Sequence, residues 1–237
     1  MLHLVLGAPD SGRLPIVRDL VAGGLPPDEP ALLLSHCSDH APEKLSAEQS
    51  ARDLASPNHL AWTWTDEHIQ LPPEAEQAAH LFLLLAPKLP LPPQIEATLA
   101  LLQDTDGLQL ARIHLIIHCG LLPNPPPGLE AWHDACAHFA DVALLSQRTD
   151  APPRLVQDLR DRYEKKLRYP LQIELVRKNY RIHNPALVLS STSRRISHVF
   201  DPPEDLEPDD LPASDHYLER LPGGTYANPV PLPFGET

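Results

Sequence analysis

The chain has 237 residues, 42% hydrophobic and 22% charged, with a formal net charge of −13. That composition belongs to a soluble globular protein with one sizeable core. The acid surplus argues against nucleic acid as a partner, whose phosphates it would repel, and no apolar run is long enough to span a bilayer. Three cysteines, an odd number, and an N-terminus without the charged leader and cleavage site of a signal peptide lead us to expect a cytoplasmic protein with reduced thiols.

Proline accounts for 29 residues, against a usual share of ~5%, and its pairs and triples punctuate the chain. Leu2 to Leu6 reads as a buried strand. A turn with two glycines follows, then a helix from Leu14 to Ala22, with Pro15 in its first turn and Gly23-Gly24 as its stop. "ALLLSHC" is a second strand, and "EKLSAEQSARDLAS" is polar and helix-compatible. "LAWTWT" alternates as a strand with one wet face, and Asp66, Glu67 and His68 then sit in a turn between strands. "HLFLLLAP" is a fully apolar strand. "PPQIEATLALLQDT" is a helix whose Ile95, Leu99 and Leu102 share a stripe. "ARIHLIIHC" is a strand, "GLEAWHDACAHFA" a helix, "DVALLSQ" a short buried strand, and "PPRLVQDLRDRYEKKL" an amphipathic helix. "LQIELVRK" and "PALVLSS" read as the last strands. Apolar strands alternating with helices predict a doubly wound α/β fold: a mostly parallel sheet with helices on both faces. Residues 1–200 would form this domain. Residues 201–237, opening with the acidic, proline-rich "DPPEDLEPDDLPASD", would form a disordered tail, although "GGTYANPVPLPFGET" could also lie across the domain in extended form.

The turn after the first strand is Gly7, Ala8, Pro9, Asp10, Ser11, Gly12, Arg13, Leu14. A phosphate-binding loop reads G-x-x-x-x-G-K-[ST] between a strand and a helix. Both glycines and the context match, and backbone N–H groups in such a turn favour an anion. Arg13 keeps a cation where lysine is expected. Leu14 has no oxygen for magnesium, and Asp10 places a negative charge mid-turn. A plain strand-to-helix turn is the competing reading.

The stretch "HLFLLLAPKLPLPPQIEATLALLQDTDGLQLARIHLIIHC" resembles the core of the CobW/HypB/UreG group of P-loop GTPases. There a strand carrying E-x-x-G leads through a loop and helix to a strand ending "VVDA". "HFADVALLSQRTD" is similar to that group's "ADxxxLNKxD" segment, in which Asn and Asp read guanine. With the loop, the resemblance spans residues 2–190 and rests on order and spacing. It implies a P-loop NTPase-like fold, GTP or a related nucleotide as ancestral ligand, and metal delivery or cofactor-enzyme maturation as the family's usual work.

Carried over residue by residue, the resemblance fails at the chemistry. The E-x-x-G glutamate falls on Leu85 and its glycine near Lys88. The "VVDA" aspartate falls on His118. The base-reading Asn and Lys fall on Ser146 and Gln147, and the final Asp on Thr149, with Asp150 one step away. Phosphoryl transfer needs a positioned Mg²⁺ and cations around the γ-phosphate. The expectation is therefore a degenerate member that is not an efficient GTPase. It would serve as scaffold or regulatory partner of another protein, with weak binding of GTP, GDP or phosphate through Gly7, Asp10, Ser11, Gly12, Arg13, Leu14, Ser146, Gln147 and Asp150. Two alternatives remain: a divergent but active GTP-binding metal chaperone with Arg13 in lysine's role, and a protein-interaction module that uses the acidic tail.

Each cysteine has a nearby histidine: His36, Cys37 and His40; His118 and Cys119; His133, Cys136 and His138. Thiolate and imidazole suit zinc, and Cys37, His118 and Cys119 are the candidates that strand ends would bring together. There is no C-x-x-C pair, and strand neighbours point to opposite faces. Buried thiols and surface histidines are the plainer account.

Overall fold

The protein is described by a computed structural model covering residues 1–38, 58–202 and 214–235. The strands are β1 (Leu2–Gly7), β2 (Ala31–His36), β3 (Asn58–Thr65), β4 (His68–Gln70), β5 (His80–Leu84), β6 (Leu110–His118), β7 (Val142–Ser146) and β8 (Gln172–Leu175). The helices are α1 (Arg13–Gly24), α2 (Leu91–Asp104), α3 (Leu129–Phe139), α4 (Pro153–Asp161) and α5 (Pro185–Leu189). Among the described residues the strands form one eight-stranded sheet in the order β4-β3-β2-β5-β1-β6-β7-β8. Every pair is parallel except β3–β4.

β1 is buried at all six positions, as a central parallel strand covered on both faces must be. Its side chains alternate between two cores. Leu2, Leu4 and Leu6 pack with Ile95 of α2 and with Trp132, Ala135 and Phe139 of α3. Val5 packs with Ile16, Val17 and Leu20 of α1 and with Val188 and Leu189 of α5. The fold is therefore doubly wound α/β. The chain leaves β1 for β2, two places to one side, and later steps from β5 to β6 across β1. Such a reversal opens a crevice at the carboxyl ends of the strands, and Gly7 sits there.

Several elements differ from expectation. "PALVLSS" holds helix α5 instead of a strand. An apolar run this short fits either element, and the start signal decides. Asn184 caps the helix by accepting the Leu187 N–H at 3.3 Å, and Pro185 occupies its first turn, where its missing N–H costs nothing. Gly24 lets α5 dock closely on α1: a Cβ there would lie 2.7 Å from Leu189 Cδ1. The amphipathic helix α4 passes into a π-helical turn at Arg162–Leu167. β4 adds an antiparallel edge through a turn in which Asp66 and Glu67 both have positive φ, 50° and 63°, the twist that tight hairpins favour. The "EKLSAEQSARDLAS" helix expectation lies outside the described residues.

The disordered-tail expectation does not hold for residues 214–235. Asp215 accepts hydrogen bonds from Ser197 at 2.6 Å and from His138 at 2.8 Å. Tyr226 donates to Glu96 at 2.7 Å, and Arg220 pairs with the same carboxylate. Phe234 stands edge-on to Trp132, ring centroids 5.4 Å apart. The composition is polar because a strap needs only a few anchors to lie down on an existing core.

Candidate functional site

The Gly7–Leu14 turn spans the end of β1 and the start of α1. Gly12 adopts a left-handed conformation, φ 83°, and caps α1 without a side-chain hydrogen bond. Its carbonyl accepts the Ile16 N–H at 3.1 Å. The loop is filled by its own residues. The Arg13 stem crosses Gly7, with Cδ 3.2 Å from where a Gly7 side chain would begin. Its guanidinium reaches the residue after β5 and donates to the Leu85 carbonyl at 2.6 Å. Tyr180 lies over Gly12, so that a Cβ there would fall 2.2 Å from the ring carbon Cε1. Leu14 packs against the smaller core.

The β7–α4 segment closes the other side. Ser146, fully buried, donates its hydroxyl to the Ser11 carbonyl at 2.8 Å and lies 3.1 Å from the Ile117 carbonyl. Gln147, itself at φ 50°, donates to the Asp10 carbonyl at 2.7 Å. The fold brings Ser146 and Gln147 against the Gly7–Arg13 turn. Their side chains hold loop carbonyls instead of facing an open cleft. Beside Gly7, between Leu85, Ala86, Gln94 and Trp132, the remaining cavity is about 10 Å³, room for about one water.

This chain matches no protein-family model, no curated protein and no solved structure. Positions 14 and 85 are leucines, so neither offers an oxygen side chain to a cation. Asp10 and Asp150 both act on His118. Burial lowers the His118 pKa, and the two carboxylates offset part of that. His118 Nδ1 accepts the Gly120 N–H at 3.0 Å, which uses that ring nitrogen locally.

The metal candidates do not converge. Cys37 is exposed, whereas Cys119 is fully buried and burial pushes its thiol up to about 11. Among the described residues no group of three His, Cys, Asp or Glu side chains is placed to hold a metal ion.

Two residues that shape the site carry no motif. Gln94, 1% exposed, accepts from Ala86 N at 2.8 Å and donates to Ala86 O at 3.0 Å, which fixes the loop after β5. Tyr180 belongs to a segment in which Asn179 and Tyr180 both have φ 59°. Asn at such a position is a signal available in sequence, while the tyrosine that follows carries none.

Proposed function

We propose that this chain is a degenerate P-loop-type protein, a non-catalytic scaffold or regulatory partner of another protein. In it the former phosphate loop now locks the carboxyl end of the sheet. The observation that supports this most is the engagement of Arg13. The loop's own cation, the Arg13 guanidinium, is bonded to the Leu85 carbonyl, and its stem occupies the space above Gly7. Binding a nucleotide there would require Arg13 and Tyr180 to move and would leave the bonds from Ser146 and Gln147 to rebuild. Magnesium would find leucine at both positions where the family offers oxygen.

Thermal unfolding with GTP, GDP, ATP and inorganic phosphate, each with and without Mg²⁺, tests the reading. A ligand present at a hundred times its Kd would raise Tm by about 5–10 °C in a chain of this size. No such rise is expected. A magnesium-dependent rise with one nucleotide would overturn the proposal in favour of a divergent GTP-binding protein. A rise with phosphate alone that Arg13→Ala abolishes would show the loop to be a working anion site.

A further inference from the structure

A scaffold needs a surface on which to hold its partner, and the far edge of the sheet offers one. β8 is the last strand in the sheet order. It pairs with β7, the Gln172 N–H donating to the Asp141 carbonyl and the Val176 N–H to the Leu145 carbonyl, both at 3.0 Å. Backbone groups in a parallel strand alternate in direction. Ile173 and Leu175 therefore turn their N–H and C=O away from β7, toward the open edge. Leu175 is 38% exposed.

A groove of about 410 Å³ runs along this edge. It is lined by Ile173 and Leu175 and by Arg148, Arg160, Arg177 and His183, with Glu174 the single acid among these lining residues. The Arg148 Nε holds the Val176 carbonyl at 3.4 Å, and Arg177 is 3.0 Å from His183. Arg160 shares Glu164 at 3.1 Å. Glu174 is already taken by the Gln172 amide at 3.0 Å. On a chain of net charge −13, a groove with this excess of cations is a local reversal of sign.

We propose that the β8 edge binds an extended acidic segment of a partner protein as an added strand. Outward N–H and C=O groups would continue the ladder, alternate apolar side chains would lie on Ile173 and Leu175, and carboxylates would meet the arginines. The arginines suit carboxylates because the guanidinium fork matches their geometry. The inference rests on the scaffold reading only in giving that scaffold its partner. Nucleotide binding at Arg13 lies outside this groove, so either reading can fail without the other.

The probe is a fluorescein-labelled octapeptide of alternating Glu and Val, followed by anisotropy on the full chain. Binding is expected, weakened about tenfold or more by Arg148→Glu combined with Arg177→Glu, and reduced as salt rises. Circular dichroism of the double variant confirms that it is folded. N-methylation of alternate peptide amides, with the protein unchanged, should abolish binding on one phase of the alternation only. Hydrogen exchange at the Ile173 and Leu175 amides should slow with peptide bound. The proposal is overturned by an absence of binding, by equal binding of a matching octapeptide of alternating Lys and Val or of a single-stranded oligonucleotide, or by indifference to charge reversal or N-methylation. Self-association of the chain that the same reversals abolish, without peptide binding, would also overturn it and assign the edge to a second copy.

Discussion

Gly12 is where the backbone and a neighbouring side chain make the same demand. Its φ of 83° costs any L-residue about 1–2 kcal/mol, and the Tyr180 ring leaves no room for a Cβ. Gly12→Ala should therefore destabilise by more than the backbone cost alone, about 2–4 kcal/mol in urea unfolding. Tyr180→Ala relieves the collision but not the dihedral. The double variant should be more stable than the two single losses predict, by about 1 kcal/mol or more. Strict additivity would mean that Tyr180 does not sit on the loop. Both glycines and the positive charge of Arg13 are plain in the sequence. What holds Arg13 is not. Its acceptor is the backbone carbonyl of Leu85, just past β5, a group every residue carries, so no letter marks it. Leucine at position 85 does not announce that its carbonyl would receive the cation.

At the scale of elements, continuous apolar runs and proline punctuation were enough to place β1, β2, β5, β6 and β7 and the helices between them. Local sequence failed where an element depends on what it packs against. α5 reads as a strand until its asparagine cap and its seat on Gly24 are seen. The C-terminal strap reads as tail because it has little to bury within itself. Its anchors are single residues that meet partners far away in the chain: Asp215 with His138, Tyr226 with Glu96, Phe234 with Trp132. The anchor at Trp132 can be tested alone. Trp132 is 3% exposed, with the Phe234 ring edge-on against it. Phe234→Ala should lower stability by about 1–3 kcal/mol and shift tryptophan emission to longer wavelength as water reaches Trp132. Unchanged emission would mean that the strap does not cover that face in solution.

The whole molecule has one property that no segment discloses, because strand order decides it. β5, β1 and β6 lie side by side, which stacks His3 on Phe82 with centroids 4.4 Å apart and brings His114 to 5.8 Å from His3. His3 reaches His80 at 3.2 Å, and His80 reaches Glu29 at 2.6 Å. Among the described residues neither ring nitrogen of His114 finds a hydrogen-bond partner, and the same holds for His133 Nε2. Burial depresses all three: His3 to about 2, with His114 next in effect; His114 to about 3, with Arg112 adding to it; and His133 to about 4. Unfolding frees each to its ordinary pKa near 6.5. Between those values the unfolded chain binds more protons than the folded one, so stability rises with pH. It should be fully present above pH ~6.5 and fall as acid is added, by up to about 4 kcal/mol per pH unit near pH 5 if all three take part. A second loss should follow at lower pH. Burial pushes the Asp215 carboxyl up, but hydrogen bonds from His138 and Ser197 outweigh it and leave its pKa below the usual value. The stability held by Asp215 is therefore complete above its unfolded pKa near 4 and lost as pH drops through the folded one. Urea unfolding from pH 5 to 7 measures the first window, and His133→Leu identifies its source. The variant should lose about a third of the slope between pH 5 and 6 while keeping the plateau above 6.5. A flat wild-type profile, or a slope unchanged in the variant, would show that these histidines are protonated or hydrated in the folded state.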